Sequence, residues 1–156
     1  MSTSTYRFSV ADYDRMIESG VFEGDEDIRL ELLYGEIIKV NPPNPPHVHF
    51  VDQLTYWSIE STQRDRIQVS IQNPVGIPEL DSVPEPDVVW KKARDYRTRR
   101  PETADVLLLI EVSDSSVKQD QTKKRDLYAE AGISDYWIVN IPASCVEVYR
   151  LSLIHI

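Results

Sequence analysis

The alternation of apolar and polar residues along the chain predicts helices and strands that interleave. Between Ser9 and Gly20, the apolar residues recur with a helical period, Ser9 is typical of a helix start, and Gly20 is typical of a helix end. The runs 28–33 and 36–40 alternate as strands around Tyr34-Gly35, a pair of residues that predicts a tight hairpin.

The rest of the chain continues this pattern after a proline-rich break at residues 41–46. Helices are predicted at 47–63 and 120–131, and strands at 67–77, 86–90, 105–112, 135–140 and 145–150. The run 105–112, DVLLLIEV, is apolar at nearly every position, which is typical of a strand covered on both faces. The predicted fold class is therefore α/β, with a mixed central β-sheet flanked by helices and this strand at its centre.

The length of 156 residues suits one domain, which we expect to span residues 1–150. The last six residues, LSLIHI, are an apolar tail outside the pattern, and we interpret them as a truncation or a foreign end. The longest apolar run has five residues, far fewer than a membrane span requires, so we expect a cytoplasmic protein. The single cysteine, Cys145, excludes an internal disulfide and a zinc–cysteine cluster.

A net charge of -9 excludes a protein that binds nucleic acid through a generally basic surface. The charge is uneven, however, because residues 91–100 carry six basic side chains and one acidic one. This segment is either a solvated loop or a loop that contacts a phosphate backbone, and composition does not choose between them. The substrate-binding candidates in it are Lys91, Lys92, Arg94, Arg97, Arg99 and Arg100.

Three charged residues occupy positions where the pattern calls for apolar ones. Glu111 lies on the same strand face as Leu109, and Asp87 begins a predicted inner strand. Lys124 falls on the core-facing side of the last predicted helix, whereas Lys123 falls on the opposite, charged side. Each has an alternative interpretation: a salt-bridged core acid for Glu111, a strand-end turn residue for Asp87, and a lysine that reaches out to water for Lys124.

Two carboxylates on adjacent strands and an inward ammonium predict a site for a hard divalent cation. Mg²⁺, which Mn²⁺ can replace, prefers one or two carboxylates and keeps positions open for water and phosphate. A metal bound in this way polarises a phosphoryl oxygen, and the lysine would hold the attacking water, so the implied chemistry is phosphodiester hydrolysis.

The segments PEPDVV and LLLIEVSDSS resemble the PD-(D/E)xK nuclease motif. Together with LELLYGEI, NPPHVH, QNPVG, KKRDLYAEAGISDYWIV and VEVYR, they resemble the Uma family of restriction-endonuclease-like proteins over residues 6–150. The resemblance implies a restriction-endonuclease-like core with the metal on Asp87 and Glu111. The usual lysine position is Ser113 here, and the resemblance places the lysine on the following helix, at Lys124.

The resemblance also points to two supporting residues. Glu31 matches an early acid of the family and would be a further metal ligand or a water-positioning group; the alternative is an exposed glutamate paired with Arg29 or Lys39. His47 matches a position that is often histidine, with a catalytic or phosphate-contacting role, and is otherwise a residue near a helix start.

Two main hypotheses of function follow from the sequence. The first is a metal-dependent endonuclease, acting on DNA, with Asp87, Glu111, Lys124 and Glu31 in the active site and a homodimer expected by analogy with restriction enzymes. The second is a catalytically silent fold that serves binding or assembly, with the carboxylates in a structural ion pair to Lys124. A two-carboxylate glycosidase is weaker, because it gives the inward lysine no role.

Overall fold

The structure is a computed structural model, and it describes residues 1–24 and 28–150. The predicted tail at 151–156 lies outside the described residues, so the domain assignment stays a prediction. The elements in chain order are α1 (Val10–Glu18), β1 (Arg29–Leu33), β2 (Glu36–Val40), α2 (Pro45–Ser61), β3 (Ile67–Ile71), β4 (Val88–Lys92), β5 (Val106–Ser113), α3 (Val117–Gln119), a π-helical turn (Asp120–Lys124), α4 (Arg125–Glu130), β6 (Asp135–Asn140) and β7 (Cys145–Arg150). No helix among these residues is long and apolar enough to cross a membrane.

Five strands form a mixed sheet in the order β3-β4-β5-β6-β7, which confirms the predicted α/β architecture with β5 at the centre. Only the β5–β6 pair is parallel. Side chains alternate across β5, so Leu108, Ile110 and Val112 face one side of the sheet, whereas Leu109 and Glu111 face the other. Both sides are covered, which explains why this strand reads as a continuous apolar run.

Helix α2 covers the first of these two faces. Asn44 caps its N-terminus by accepting a hydrogen bond from the His47 amide at 3.0 Å, and Pro45 starts the helix at a position that lacks a helical hydrogen bond anyway. On the sheet side, the indole N–H of Trp90 donates to the fully buried Ser58 hydroxyl at 2.8 Å. These contacts fix α2, and with it His47, against the sheet.

The β1–β2 hairpin and the helical segment α3–π-turn–α4 lie on the second face. The hairpin is a separate two-stranded sheet, which ends at the proline-rich break after residue 40. Tyr34 and Gly35 both have positive φ, as a two-residue hairpin turn requires, and a Cβ on Gly35 would lie 2.6 Å from Arg7 Cβ. Leu33 packs with Leu127 and Tyr128 into the main core cluster and so binds the hairpin to the helix.

Candidate active site

Asp87 and Glu111 lie side by side at the same end of β4 and β5. The antiparallel register pairs Val88 with Ile110, so the next step along the two strands brings Asp87 opposite Glu111. Both carboxylates share the sheet face of Val89 and Leu109, and both are buried, with 6% and 4% of their surface exposed. Two acids held this closely in a buried place need compensating charges or donors.

Donors from three elements surround the Asp87 carboxylate. Oδ2 accepts from the Val112 amide at 2.8 Å and lies 3.2 Å from His47 Nε2, and Oδ1 accepts from Gln72 Nε2 at 3.2 Å. Burial alone would raise the pKa of Asp87, but the contacts with His47, Val112 and Gln72 outweigh it and hold that pKa below its ordinary value. Asp87 is therefore an ionised carboxylate at neutral pH.

Lys124 reaches into the same place from the last residue of the π-helical turn. Its Nζ lies 2.9 Å from Glu111 Oε1 and 3.0 Å from Glu31 Oε1, and its side chain is 7% exposed. Burial would lower the pKa of Lys124, but the carboxylates of Glu111, Glu31 and Asp120 outweigh burial and raise it well above its ordinary value. The lysine is a buried ammonium and does not reach out to water.

Glu111 is held through one of its two carboxylate oxygens. Burial raises the pKa of Glu111 well above its ordinary value; Lys124 opposes the increase, and the nearby carboxylates of Asp120, Asp87 and Glu31 add to it. Oε1 accepts from both Lys124 and the Tyr128 hydroxyl, the latter at 3.1 Å. Within the described residues, Oε2 accepts no hydrogen bond, which leaves this oxygen for a cation.

The structure brings Glu31 and His47 to the same site. Glu31 is 2% exposed and accepts from Lys124 and from the Glu85 amide at 2.7 Å, so it is not the exposed glutamate paired with Arg29 or Lys39 of the alternative interpretation. His47, in the first turn of α2, contacts Asp87 through Nε2, while its buried Nδ1 has no hydrogen-bond partner among residues 1–24 and 28–150.

Two further residues of the site are absent from the sequence prediction. Asp120 is 2% exposed, accepts from the hydroxyls of Ser113 and Ser116, and has Oδ1 3.9 Å from Lys124 Nζ; burial raises its pKa. Asp120 comes four residues before Lys124, so on a helix both fall on the same face, and this spacing could have predicted Asp120 as a residue of the site. Gln72, which donates a hydrogen bond to Asp87, follows strand β3 and has a positive φ of 51°. No sequence pattern predicts its role in the site.

One cavity of about 190 Å³ is lined by Glu31, His47, Asp87, Glu111, Asp120 and Lys124, among others. The segment 41–44 and the residues 114–116 also line the cavity, and Asn44 Nδ2 joins them by donating to Asp114 Oδ2 at 2.6 Å. The lining includes the carboxylates of Glu31, Asp87, Glu111 and Asp120, and the ammonium of Lys124 lies within 4 Å of three of them, those of Glu31, Glu111 and Asp120. The excess of negative charge suits a divalent cation.

The donor set fits a magnesium site with few protein ligands. Among residues 1–24 and 28–150, no three side chains of His, Cys, Asp or Glu converge as a ready-made metal centre. Mg²⁺ commonly uses one or two carboxylates and completes its coordination with water and phosphate oxygens, and Asp87 and Glu111 can supply those two.

The basic segment 91–100 begins at the other end of β4 and β5, where Lys91 pairs with Val106, and continues past the end of β4. Four strand steps, about 13 Å, separate Lys91 from Asp87. Most of its cations have internal partners. Arg94 and Arg99 both contact Asp105, Arg97 contacts Asp95, Arg100 contacts Asp14, and Lys91 lies over the Tyr96 ring, whereas Lys92 is exposed at the strand end. A role of this segment in substrate binding stays a prediction.

Comparisons with known proteins agree with this architecture. A family model described as "Uma2: Putative restriction endonuclease" matches residues 10–154. In structure, the chain is similar to a protein from Anabaena variabilis ATCC 29413 described as "a putative nuclease belonging to DUF820", with a TM-score of 0.67 and 16% sequence identity over 93% of this chain and 80% of that one. Among curated proteins, none matches this sequence. The predicted restriction-endonuclease-like fold is confirmed.

Proposed function

Because the chain belongs to the family described as "Uma2: Putative restriction endonuclease", we propose that it is a divalent-metal-dependent endonuclease that hydrolyses phosphodiester bonds, with DNA as the substrate. The observation that carries the proposal is the meeting of Asp87, Glu111 and Lys124 in one cavity, although they come from two strands and a helix. No structural requirement of the sheet calls for two buried acids and a buried ammonium at this point.

Asp87 and Glu111 would hold Mg²⁺ or Mn²⁺, which supplies polarisation of a phosphoryl oxygen and stabilises charge on the leaving oxygen. His47, Gln72 and the Val112 amide orient Asp87, and Tyr128 orients Glu111. Both acids are therefore fixed by neighbours before any ligand arrives.

Lys124 and Glu31 would act on the attacking water. The ammonium is charged, so it donates a hydrogen bond to the water oxygen and cannot take its proton. Glu31, in contact with the same ammonium, is the carboxylate positioned to accept that proton as the new P–O bond forms and the bond to the leaving oxygen breaks.

Cleavage assays with paired variants test this function. We expect Asp87→Asn and Lys124→Gln to lose Mg²⁺- or Mn²⁺-dependent cleavage of plasmid DNA by about 100-fold or more. Lys123→Gln is the matched control, because the neighbouring lysine contacts Glu36 outside the cavity. Equal cleavage by wild type and both site variants would show a contaminant. Single-stranded DNA and RNA, assayed in parallel, identify the preferred nucleic acid.

A specific contact favours the second candidate, a silent fold used for binding or assembly. The Lys124–Glu111 pair is closed at 2.9 Å, as a purely structural ion pair would be. Such a pair would bind no metal, so calorimetric titration with Mg²⁺ separates the two candidates. For the nuclease, we expect action in the cytoplasm and a homodimer that cuts both strands, the latter by analogy with restriction enzymes.

A further inference from the structure

The lysine and arginine residues that line the cavity differ in how they are engaged. They are Arg29, Lys39 and Lys124. Lys124 is held between Glu31 and Glu111. Lys39 alternates along β2 with Ile38, the residue paired with Glu31, so its side chain lies on the opposite face of the hairpin from Glu31. Arg29 is the cavity-lining cation that shares a hairpin face with Glu31 and is not held between two buried carboxylates.

Arg29 shares the hairpin face of Glu31, two residues away in β1. One contact holds its guanidinium, from NH2 to Glu85 Oε2 at 3.3 Å. A guanidinium has five N–H donors in a planar fork that matches phosphate oxygens. Within residues 1–24 and 28–150, no other donor of Arg29 makes a hydrogen bond, so none of these residues competes with a phosphate for those donors.

The Arg29–Glu85 pair lies between solvent and the buried acids. Its side chains are 28% and 25% exposed, compared with 7% for Lys124 and 5% for Glu111. The Glu85 amide donates to Glu31, which in turn contacts Lys124, so a short chain of contacts joins the pair to the centre of the site. This is the place where a phosphate on its way to Asp87 and Glu111 would first meet a cation.

We propose that Arg29 binds a non-bridging oxygen of the substrate phosphodiester at the mouth of the cavity, and that Glu85 holds the guanidinium in place until the phosphate replaces it. The assignment rests on the proposed nuclease function, because it names the residue that receives the substrate of that site. It also provides a phosphate contact close to the acids, which the segment 91–100 at the far end of β4 and β5 does not.

Calorimetry with inorganic phosphate as the probe, in saturating Mg²⁺, tests the role of Arg29. We expect Arg29→Gln to weaken phosphate binding about 10- to 100-fold, because the charge-assisted hydrogen bonds of the guanidinium are lost. Arg29→Lys should weaken it less, because lysine keeps the charge. Glu85→Gln should tighten phosphate binding by about two- to fivefold, because the Glu85 carboxylate competes with phosphate for the Arg29 guanidinium. The gain is small because a partly exposed ion pair such as this one is weak. A merely structural pair would not produce this gain.

Controls keep the outcomes distinct. Arg7→Gln removes the same charge from the turn end of the hairpin, where Arg7 contacts Glu36, and should leave phosphate affinity unchanged. The double variant Arg29→Gln/Glu85→Gln leaves no unpaired acid and should fold as well as wild type, yet bind phosphate as weakly as Arg29→Gln.

Two results would overturn the proposal. Phosphate affinity that is equal in wild type and Arg29→Gln, or no phosphate binding by wild type, removes Arg29 from the substrate site. The Mg²⁺ titration of the same proteins tells which idea has failed: intact metal binding leaves the nuclease function standing, and absent metal binding removes both.

Discussion

Replacement of Lys124 by methionine tests whether the site is a set of buried acids held together by one ammonium. Methionine keeps roughly the length of the side chain but removes the charge that lies 2.9 and 3.0 Å from Glu111 and Glu31. Removing one partner of a buried ion pair costs about 3–5 kcal/mol, because the remaining charge stays buried without compensation. We expect the free energy of unfolding to fall by about 3 kcal/mol at pH 8 in EDTA.

The loss should depend on pH with a definite sign. Burial already raises the pKa of Glu111 well above its ordinary value, and loss of the ammonium raises it further. A carboxyl whose pKa is higher in the folded state than in the unfolded state contributes stability below the unfolded pKa, and this contribution is lost as pH rises through the folded pKa. The deficit of Lys124→Met relative to wild type should therefore be largest at pH 8 and much smaller at pH 5.

Urea denaturation followed by tryptophan fluorescence measures both effects. Lys123→Met is the matched control, since the Lys123–Glu36 pair is 32% and 43% exposed, and its loss should cost less than about 1 kcal/mol. The double variant Glu31→Gln/Lys124→Met should recover part of the stability. Equal losses of stability in the two lysine variants would contradict a role of Lys124 in compensating the buried carboxylates. So would a loss of stability in Lys124→Met that is the same at pH 5 and pH 8.

Three further predictions concern the scaffold and the basic segment. Asp105→Asn should lower the free energy of unfolding by about 2 kcal/mol at pH 7. The Asp105 side chain is 3% exposed, and its neutralisation removes the ion pairs with Arg99 and Arg94. The hydrogen bond from Arg99 is the main cause that holds the pKa of Asp105 below its ordinary value. In urea denaturation, the difference in the free energy of unfolding between wild type and Asp105→Asn should therefore vanish as pH falls through that lowered pKa. Ser58→Ala should cost about 1–2 kcal/mol, because it removes the fully buried hydroxyl that accepts from the indole N–H of the half-buried Trp90, and unchanged stability would contradict this. Neutralising the six cations of segment 91–100 should flatten the dependence of log K for DNA on log salt, and an unchanged slope would remove the segment from the interface.

Local pattern was sufficient to predict β5 and Lys124. Strand β5 is apolar on both faces because helices and the hairpin cover both, and six of its eight residues are apolar. Lys124 interrupts a core-facing helical stripe, and only a buried carboxylate partner makes such a position tolerable. Both inferences depend on periodicity, which a single segment contains.

Contacts between distant segments were not predictable in the same way. Lys123 pairs with Glu36 of β2, not with an acid of its own helix, because the hairpin packs beside the helical segment. The cations of segment 91–100 look free in sequence, yet Asp14 and Asp105 reach them from other elements. The separation of the β1–β2 hairpin from the main sheet likewise follows from tertiary packing.

Calorimetric titration of Mg²⁺ into wild type and Glu111→Gln tests the central claim most directly. It needs no knowledge of the substrate, and near-ultraviolet circular dichroism of both proteins confirms that they are folded. We expect wild type to bind Mg²⁺ and Glu111→Gln to lose this binding, since the Oε2 of Glu111, which accepts no hydrogen bond within the described residues, is the oxygen proposed to bind the cation. A folded wild type that binds no Mg²⁺, or a variant that binds it equally well, would contradict the metal site and favour the silent fold.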